Sequence, residues 1–204
     1  GAAFVYLGSV TGMSTVAGWS AVGNLTNSLF GESVSTAADV NGDGYSDVIV
    51  GAPYFDNGQA NEGAAFVYHG SASGLSLTSN WSAEGNQIFA LFGNSVSSAG
   101  DVNGDGYSDV IVGANLFNNG ESDEGAAFVY HGSASGLSLT PNWSAEGNQD
   151  SVDFGESVST AGDVNGDGYS DVIIGAYRFD NGQANEGRAF VYHGSSAGLS
   201  TSPN

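Results

Sequence analysis

Gly63-Ala64-Ala65-Phe66-Val67-Tyr68 recurs along the chain. The same six residues begin at Gly1 and Gly125, and Gly187 opens the variant Gly-Arg-Ala-Phe-Val-Tyr. The step is 62 residues each time. Trp19, Trp81 and Trp143 keep that step, as do the pairs Phe30-Gly31, Phe92-Gly93 and Phe154-Gly155. A fixed period of this length marks a chain built by stacking one supersecondary unit. Three whole periods leave residues 187–204, which repeat the opening segment.

Each period reads as four short strands, here A to D. Strand A runs from the Phe-Gly pair, Phe30 to Ala37, with equivalents Phe92 to Ala99 and Phe154 to Ala161. Strand B is Ser46 to Ala52, strand C is Ala64 to His69, and strand D surrounds Trp81. Apolar runs such as Val48-Ile49-Val50, bounded by Gly, Asn and Ser, are the strand signal. No stretch keeps a helical period, so the expected class is all-β. Four short antiparallel strands per repeat is the blade of a β-propeller. The 204 residues then form one repeat array of about 3.3 repeats. Residues 1–29 are a partial blade of strands C and D. Residues 30–91 and 92–153 are whole blades, and 154–204 is a partial blade of strands A to C. The ring is incomplete in one chain.

The turn between strands A and B carries the strongest chemistry. Asp39, Asn41, Asp43, Tyr45 and Asp47 recur as Asp101, Asn103, Asp105, Tyr107 and Asp109, and again as Asp163, Asn165, Asp167, Tyr169 and Asp171. Oxygen-bearing side chains fall at loop positions 1, 3, 5 and 9. Gly44, Gly106 and Gly168 at position 6 permit the sharp bend that curls them inward. Tyr at position 7 offers its backbone carbonyl. Hard oxygen ligands without His or Cys favour Ca²⁺, about three per chain. An EF-hand would need Glu at position 12, where Val50, Val112 and Ile174 stand inside a strand. Without a metal the same loop is a Gly-rich Asx turn.

Phe-Gly, then Asp-x-Asn-Gly-Asp-Gly-x-x-Asp, then an apolar triplet and Gly51-Ala52-Pro53, resembles the FG-GAP repeat of integrin α-subunit propellers and of bacterial surface proteins. The resemblance covers essentially the whole chain. Pro53 gives way to Asn115 and Tyr177 in the later copies. It implies ligand contact on the face opposite the acidic loops, where the B–C and D–A turns lie. The D–A turns differ most between copies: Leu25 to Leu29, Gln87 to Leu91 and Gln149 to Asp153. Relaxed drift of surface loops would give the same variation.

Composition narrows the function. There are 22 acidic side chains and two basic ones, Arg178 and Arg188, for a formal net charge of −20. Phosphate recognition needs clustered Lys and Arg, so nucleic acid is excluded. No apolar run reaches the roughly 18 residues of a membrane helix, and cysteine is absent. His69, His131 and His193 fall one per repeat and read as strand-end residues with satisfied rings. The Trp residues read as blade packing. The turn set Asp56-Asn57-Gly58 with Asn61-Glu62 reads as a hairpin connection, with a second cation or sugar site as the other reading. No Ser-His-Asp grouping or nucleophile elbow is present, so no enzyme is expected.

The expectation is a non-enzymatic, calcium-stabilised extracellular propeller module for adhesion or self-assembly at the cell surface, of bacterial origin. Calcium sites of extracellular modules bind at about 10⁻⁴ to 10⁻³ M and so fill outside the cell. A sugar-binding lectin and an accessory domain of a secreted hydrolase are the alternatives. The chain opens on Gly1 and ends before strand D, so it is expected to be a processed chain, a fragment or a segment of something longer. Unfinished blades at both ends present exposed edges. A homo-oligomeric ring, a filament or a longer propeller chain would each cover them, and a protein or glycan is the expected ligand.

Overall fold

The computed structural model describes all 204 residues. It is all-β, with fifteen strands and no helix. The opening segment contributes β1 (Ala2–Val5), β2 (Gly8–Ser9), β3 (Gly12–Met13) and β4 (Trp19–Val22). β1 and β4 pair antiparallel as the outer half of a blade. β2 and β3 form a small hairpin between them that the repeat pattern did not announce.

Two whole blades follow. The first orders β5 (Val34–Ala38), β6 (Asp47–Ala52), β7 (Ala64–Tyr68) and β8 (Trp81–Glu84) as consecutive antiparallel neighbours. The second repeats this with β9 (Ser95–Gly100), β10 (Asp109–Ala114), β11 (Ala126–Tyr130) and β12 (Trp143–Glu146). β13 (Ser157–Gly162), β14 (Asp171–Ala176) and β15 (Arg188–Tyr192) make the last, three-stranded sheet. The strand order A-B-C-D is as expected, and the sheets do not close into a ring.

Strand A begins later than expected, at Val34, Ser95 and Ser157. The Phe-Gly pair sits in the turn ahead of it, because the glycine is left-handed (φ 90°, 85° and 86°) and cannot continue a strand. Phe92 and Phe154 instead touch the previous blade through parallel bridges to Gly63 and Gly125. Their rings are almost wholly buried.

The apolar core lies between blades. One cluster joins Trp19, Phe30, Val50 and Tyr68. A second joins Ile49, Trp81, Val96 and Tyr130. A third joins Ile111, Phe154, Val158 and Tyr192. Each strand-D tryptophan meets the strand-C tyrosine of the next blade edge to face, at 4.9, 4.9 and 4.8 Å between ring centroids. Each indole Nε1 donates across the same junction, to the carbonyl oxygens of Ser76, Ser138 and Ser200. Every blade therefore buries its apolar residues against its neighbours, as in other one-dimensional repeat arrays.

A bulge closes each A strand. The A–B register slips between Thr36 and Ala38, and again at Gly100 and Gly162. The bulged residue has positive φ: 56° at Ala38, 77° at Gly100 and 71° at Gly162. Ala38 bears a Cβ in a region that favours glycine, which costs about 1 kcal/mol. Ala38→Gly should raise stability by about that amount in urea unfolding. An unchanged midpoint would mean the loop absorbs the strain elsewhere.

Candidate metal centre

The acidic loops follow directly from that bulge. It turns the chain out of strand A and presents Asp39, Asp101 and Asp163 to the amides that follow. Asp39 Oδ1 accepts from the N–H of Gly42 (2.7 Å) and Asp43 (3.1 Å), and Oδ2 from that of Gly44 (2.8 Å). Asp101 and Asp163 repeat this pattern with Gly104, Asp105 and Gly106, and with Gly166, Asp167 and Gly168. The Gly168 amide, followed by those of Gly166 and Asp167, holds the Asp163 carboxyl below its ordinary range, against a smaller opposing effect of burial.

Positions 3 and 5 share the mouth of the loop. The Asp43 N–H is split between Asp39 Oδ1 and Asn41 Oδ1, 3.1 and 3.0 Å away. Those two oxygens therefore converge on one point. Asn41 Nδ2 donates to Asp43 Oδ2 at 3.1 Å. The second and third loops are superimposable in these bonds.

Position 9 behaves differently. Asp47, Asp109 and Asp171 are fully buried. Asp109 Oδ2 accepts from Val102 N (2.8 Å) and Oδ1 from Gly132 N (2.9 Å), tying the loop start to the end of strand C. Asp47 does the same with Val40 and Gly70, and Asp171 with Val164 and Gly194. Burial pushes the Asp109 carboxyl up to about 7 and that of Asp47 upward, against the pull of those amides.

Tyr107 and Tyr169 lay their rings against Gly42 and Gly104 of the preceding loop, while Tyr45 has no preceding loop to cover and is exposed. No three His, Cys, Asp or Glu side chains stand together as a finished cage. Amides of the loop and of the end of strand C hold the carboxylates of positions 1 and 9. The donor set suits a hard cation: it is all oxygen, it converges at positions 1 and 3, and in the third loop the amides favour an ionised Asp163.

Two of the histidines, His69 and His131, are half-satisfied, which departs from expectation. Asn41 Nδ2 donates to His69 Nδ1 at 3.3 Å and Asn103 Nδ2 to His131 Nδ1 at 3.2 Å. Both Nε2 atoms are buried without a partner. Burial holds the His131 pKa below the usual histidine range.

The B–C turn has a structural explanation that residue types alone did not reveal. Glu62 and Glu124 are fully buried. Each caps its own turn, accepting from the N–H of Asn57 or Asn119 at 2.6 Å. The amides of the same Asn side chains donate to the carboxylates of Glu84 and Glu146. The recurrence of Glu at one repeat position was the available signal.

Blades of four antiparallel strands joined by acidic loops define a repeat class, and the comparisons with known proteins agree. A model described as "FG-GAP repeat" matches residues 30–68, 92–130 and 154–192. The chain belongs to the FG-GAP repeat family. It is 35% identical to integrin alpha-5 of Xenopus laevis over 186 residues, 87% of this chain and 17% of that protein. It is 36% identical to Xenopus laevis integrin alpha-4 over 78% of this chain and 15% of the relative, and to Gallus gallus integrin alpha-V over 74% and 15%. The chain thus spans about a sixth of the length of these relatives. They are animal proteins, so the expected bacterial origin finds no support among them.

Proposed function

We propose that this chain is a non-enzymatic, calcium-stapled module of an extracellular or cell-surface protein, used for adhesion or self-assembly. The observation that carries the cation reading is the threefold convergence of the position 1 and position 3 oxygens on the position 5 amide. Asp39, Asn41, Asp43, Asp47 and the Tyr45 carbonyl would hold the first ion, and the equivalent residues of the other loops two more. Calcium would supply charge compensation in a chain of net charge −20.

Adhesion is supported by the family and by the turns on the opposite face. There Leu25, Leu29, Ile88 and Phe89 are exposed on D–A turns that differ between copies. Gln87 locks one such turn to the next blade through the backbone of Asn118, and Gln149 does so through Asp180. Ile88 and Phe89 are thus presented on a fixed frame. A protein ligand suits them better than a sugar, because sugar recognition needs polar groups at the contact.

Calcium at about ten times its dissociation constant should raise the melting temperature by roughly 10 °C, and chelator should reverse it. The gain should be larger at pH 8 than at pH 5. Asp109 keeps its proton up to about pH 7 in the folded chain but loses it near pH 4 when unfolded. Metal-free stability therefore falls as pH rises through that window, and a cation offsets the loss. Asp43→Ala should remove one site of three by calorimetric titration. A melting curve indifferent to chelator would end the cation reading.

A further inference from the structure

Asn41 and Asn103 give their loops the position 3 oxygen, and a side-chain amide can turn either its oxygen or its nitrogen to a neighbour. Asn41 Oδ1 accepts from the N–H of Asp43 at 3.0 Å, so the oxygen faces the loop. Its Nδ2 donates to Asp43 Oδ2 at 3.1 Å and to His69 Nδ1 at 3.3 Å. Asn103 Nδ2 does the same with Asp105 Oδ2 and His131 Nδ1, at 2.9 and 3.2 Å. The two acceptors differ in kind. Asp43 and Asp105 belong to the proposed ligand set, and an oxygen that coordinates a cation is withdrawn from the amide. His69 and His131 lie outside that set, 28 residues further along the chain at the end of strand C.

Each ring is built into its place. The His69 N–H donates to Asn80 Oδ1 at 2.9 Å, and its carbonyl oxygen accepts from Ser76 N, which pins the backbone to the C–D turn. His131 repeats both bonds with Asn142 and Ser138. The far edge of each ring rests on a glycine of the next blade. A Cβ on Gly136 would stand 3.3 Å from His69 Cε1, and one on Gly198 3.5 Å from His131 Cε1. An Nδ1 that accepts leaves the ring proton on Nε2, and both Nε2 atoms are buried without a partner. A buried donor left unpaired destabilises a fold. Leucine, which stands at the same repeat position as Leu7, carries no such donor. Packing alone therefore does not call for histidine here. What histidine adds is the acceptor at Nδ1.

We propose that His69 and His131 are positioning residues of the first two acidic loops. Each holds the position 3 amide with its oxygen turned to the cation, and so sets the affinity of its loop. The proposal rests on the cation reading above and deepens it. The ring nitrogen is the acceptor that remains to the amide once the loop carboxylate serves the ion.

Calcium titration calorimetry tests this on the chain carrying Asp105→Ala and Asp167→Ala, which leave the first loop alone to bind. One ion should be taken up. His69→Leu on that background should weaken its binding by about tenfold, the lower end for a residue that orients a metal ligand. His69→Asn places an acceptor oxygen where Nδ1 stood and should recover most of the loss. Melting followed by circular dichroism in chelator should find His69→Leu no less stable than its parent, since the stranded Nε2 donor is gone. Unchanged affinity in His69→Leu would overturn the proposal. Equal losses in His69→Leu and His69→Asn would overturn it too, by assigning the effect to the packing of the ring. So would a fall in melting temperature as large in chelator as in calcium, which would make the histidine structural alone. A parent that takes up no calcium ends the cation reading and this proposal together, whereas uptake indifferent to His69→Leu ends this proposal only.

Discussion

Gly113→Ala should destabilise the chain by about 3 kcal/mol, the upper end for overpacking a core. Gly113 lies in β10, and a Cβ there would stand 2.0 Å from the carbonyl oxygen of Gly155 on the next blade. Backbone cannot rotate away as a side chain can, so the blades would have to separate. Separation loosens every contact of the third core cluster, including Phe154 and Ile111. Gly51 stands in the same relation to the Gly93 oxygen and should respond alike. Gly175 is the control. It occupies the same repeat position, yet its nearest neighbour would be the Ser157 side chain at 3.6 Å. Gly175→Ala should therefore change the urea midpoint of the single chain by no more than about 0.5 kcal/mol. Equal effects at Gly113 and Gly175 would show that glycine contacts do not set the blade spacing.

Asp109→Ala should cost a similar amount, about 3 kcal/mol, in chelator, and more in calcium, where a ligand of that loop is lost as well. The substitution strands two amides, Val102 N and Gly132 N, that the buried carboxylate now satisfies. An unpaired buried donor costs about 1–3 kcal/mol. Asp105→Ala should behave in the opposite way. Asp105 is exposed, and its carboxylate accepts only the Tyr107 N–H from the backbone. Its loss should be mild in chelator and should abolish the calcium-dependent gain of that one loop. Guanidinium unfolding of both variants, in calcium and in chelator, separates the two roles. If Asp109→Ala were harmless in chelator, position 9 would serve the ion alone.

Much of this was legible in the chain. The 62-residue step, the four strands and their order need only covalent sequence and the alternation of apolar runs with turn residues. The acidic loops were legible because their residue types are spaced for a bend that glycine alone permits. The Phe-Gly pair was misplaced into strand A, because an apolar residue before a Gly reads the same in a strand and in a turn. The buried capping role of Glu62 and Glu124 was hidden, because a glutamate beside Asn-Gly is most often solvated. The dual nature of the loop aspartates was hidden too. Position 9 resembles its fellows in sequence, but only Asp47, Asp109 and Asp171 reach the amide that follows strand C.

The repeat unit itself was determined by sequence: what each blade is, where it turns and which side chains alternate across its strands. Which of those side chains are buried was decided by tertiary structure alone. Ile49, Ile111 and Ile173 occupy the same place in nearly the same local sequence, yet the first two are fully buried and the third is 37% exposed. A strand buries its face against whatever stands beside it. That neighbour comes from another repeat, 62 residues away along the chain, so no local pattern can record its presence.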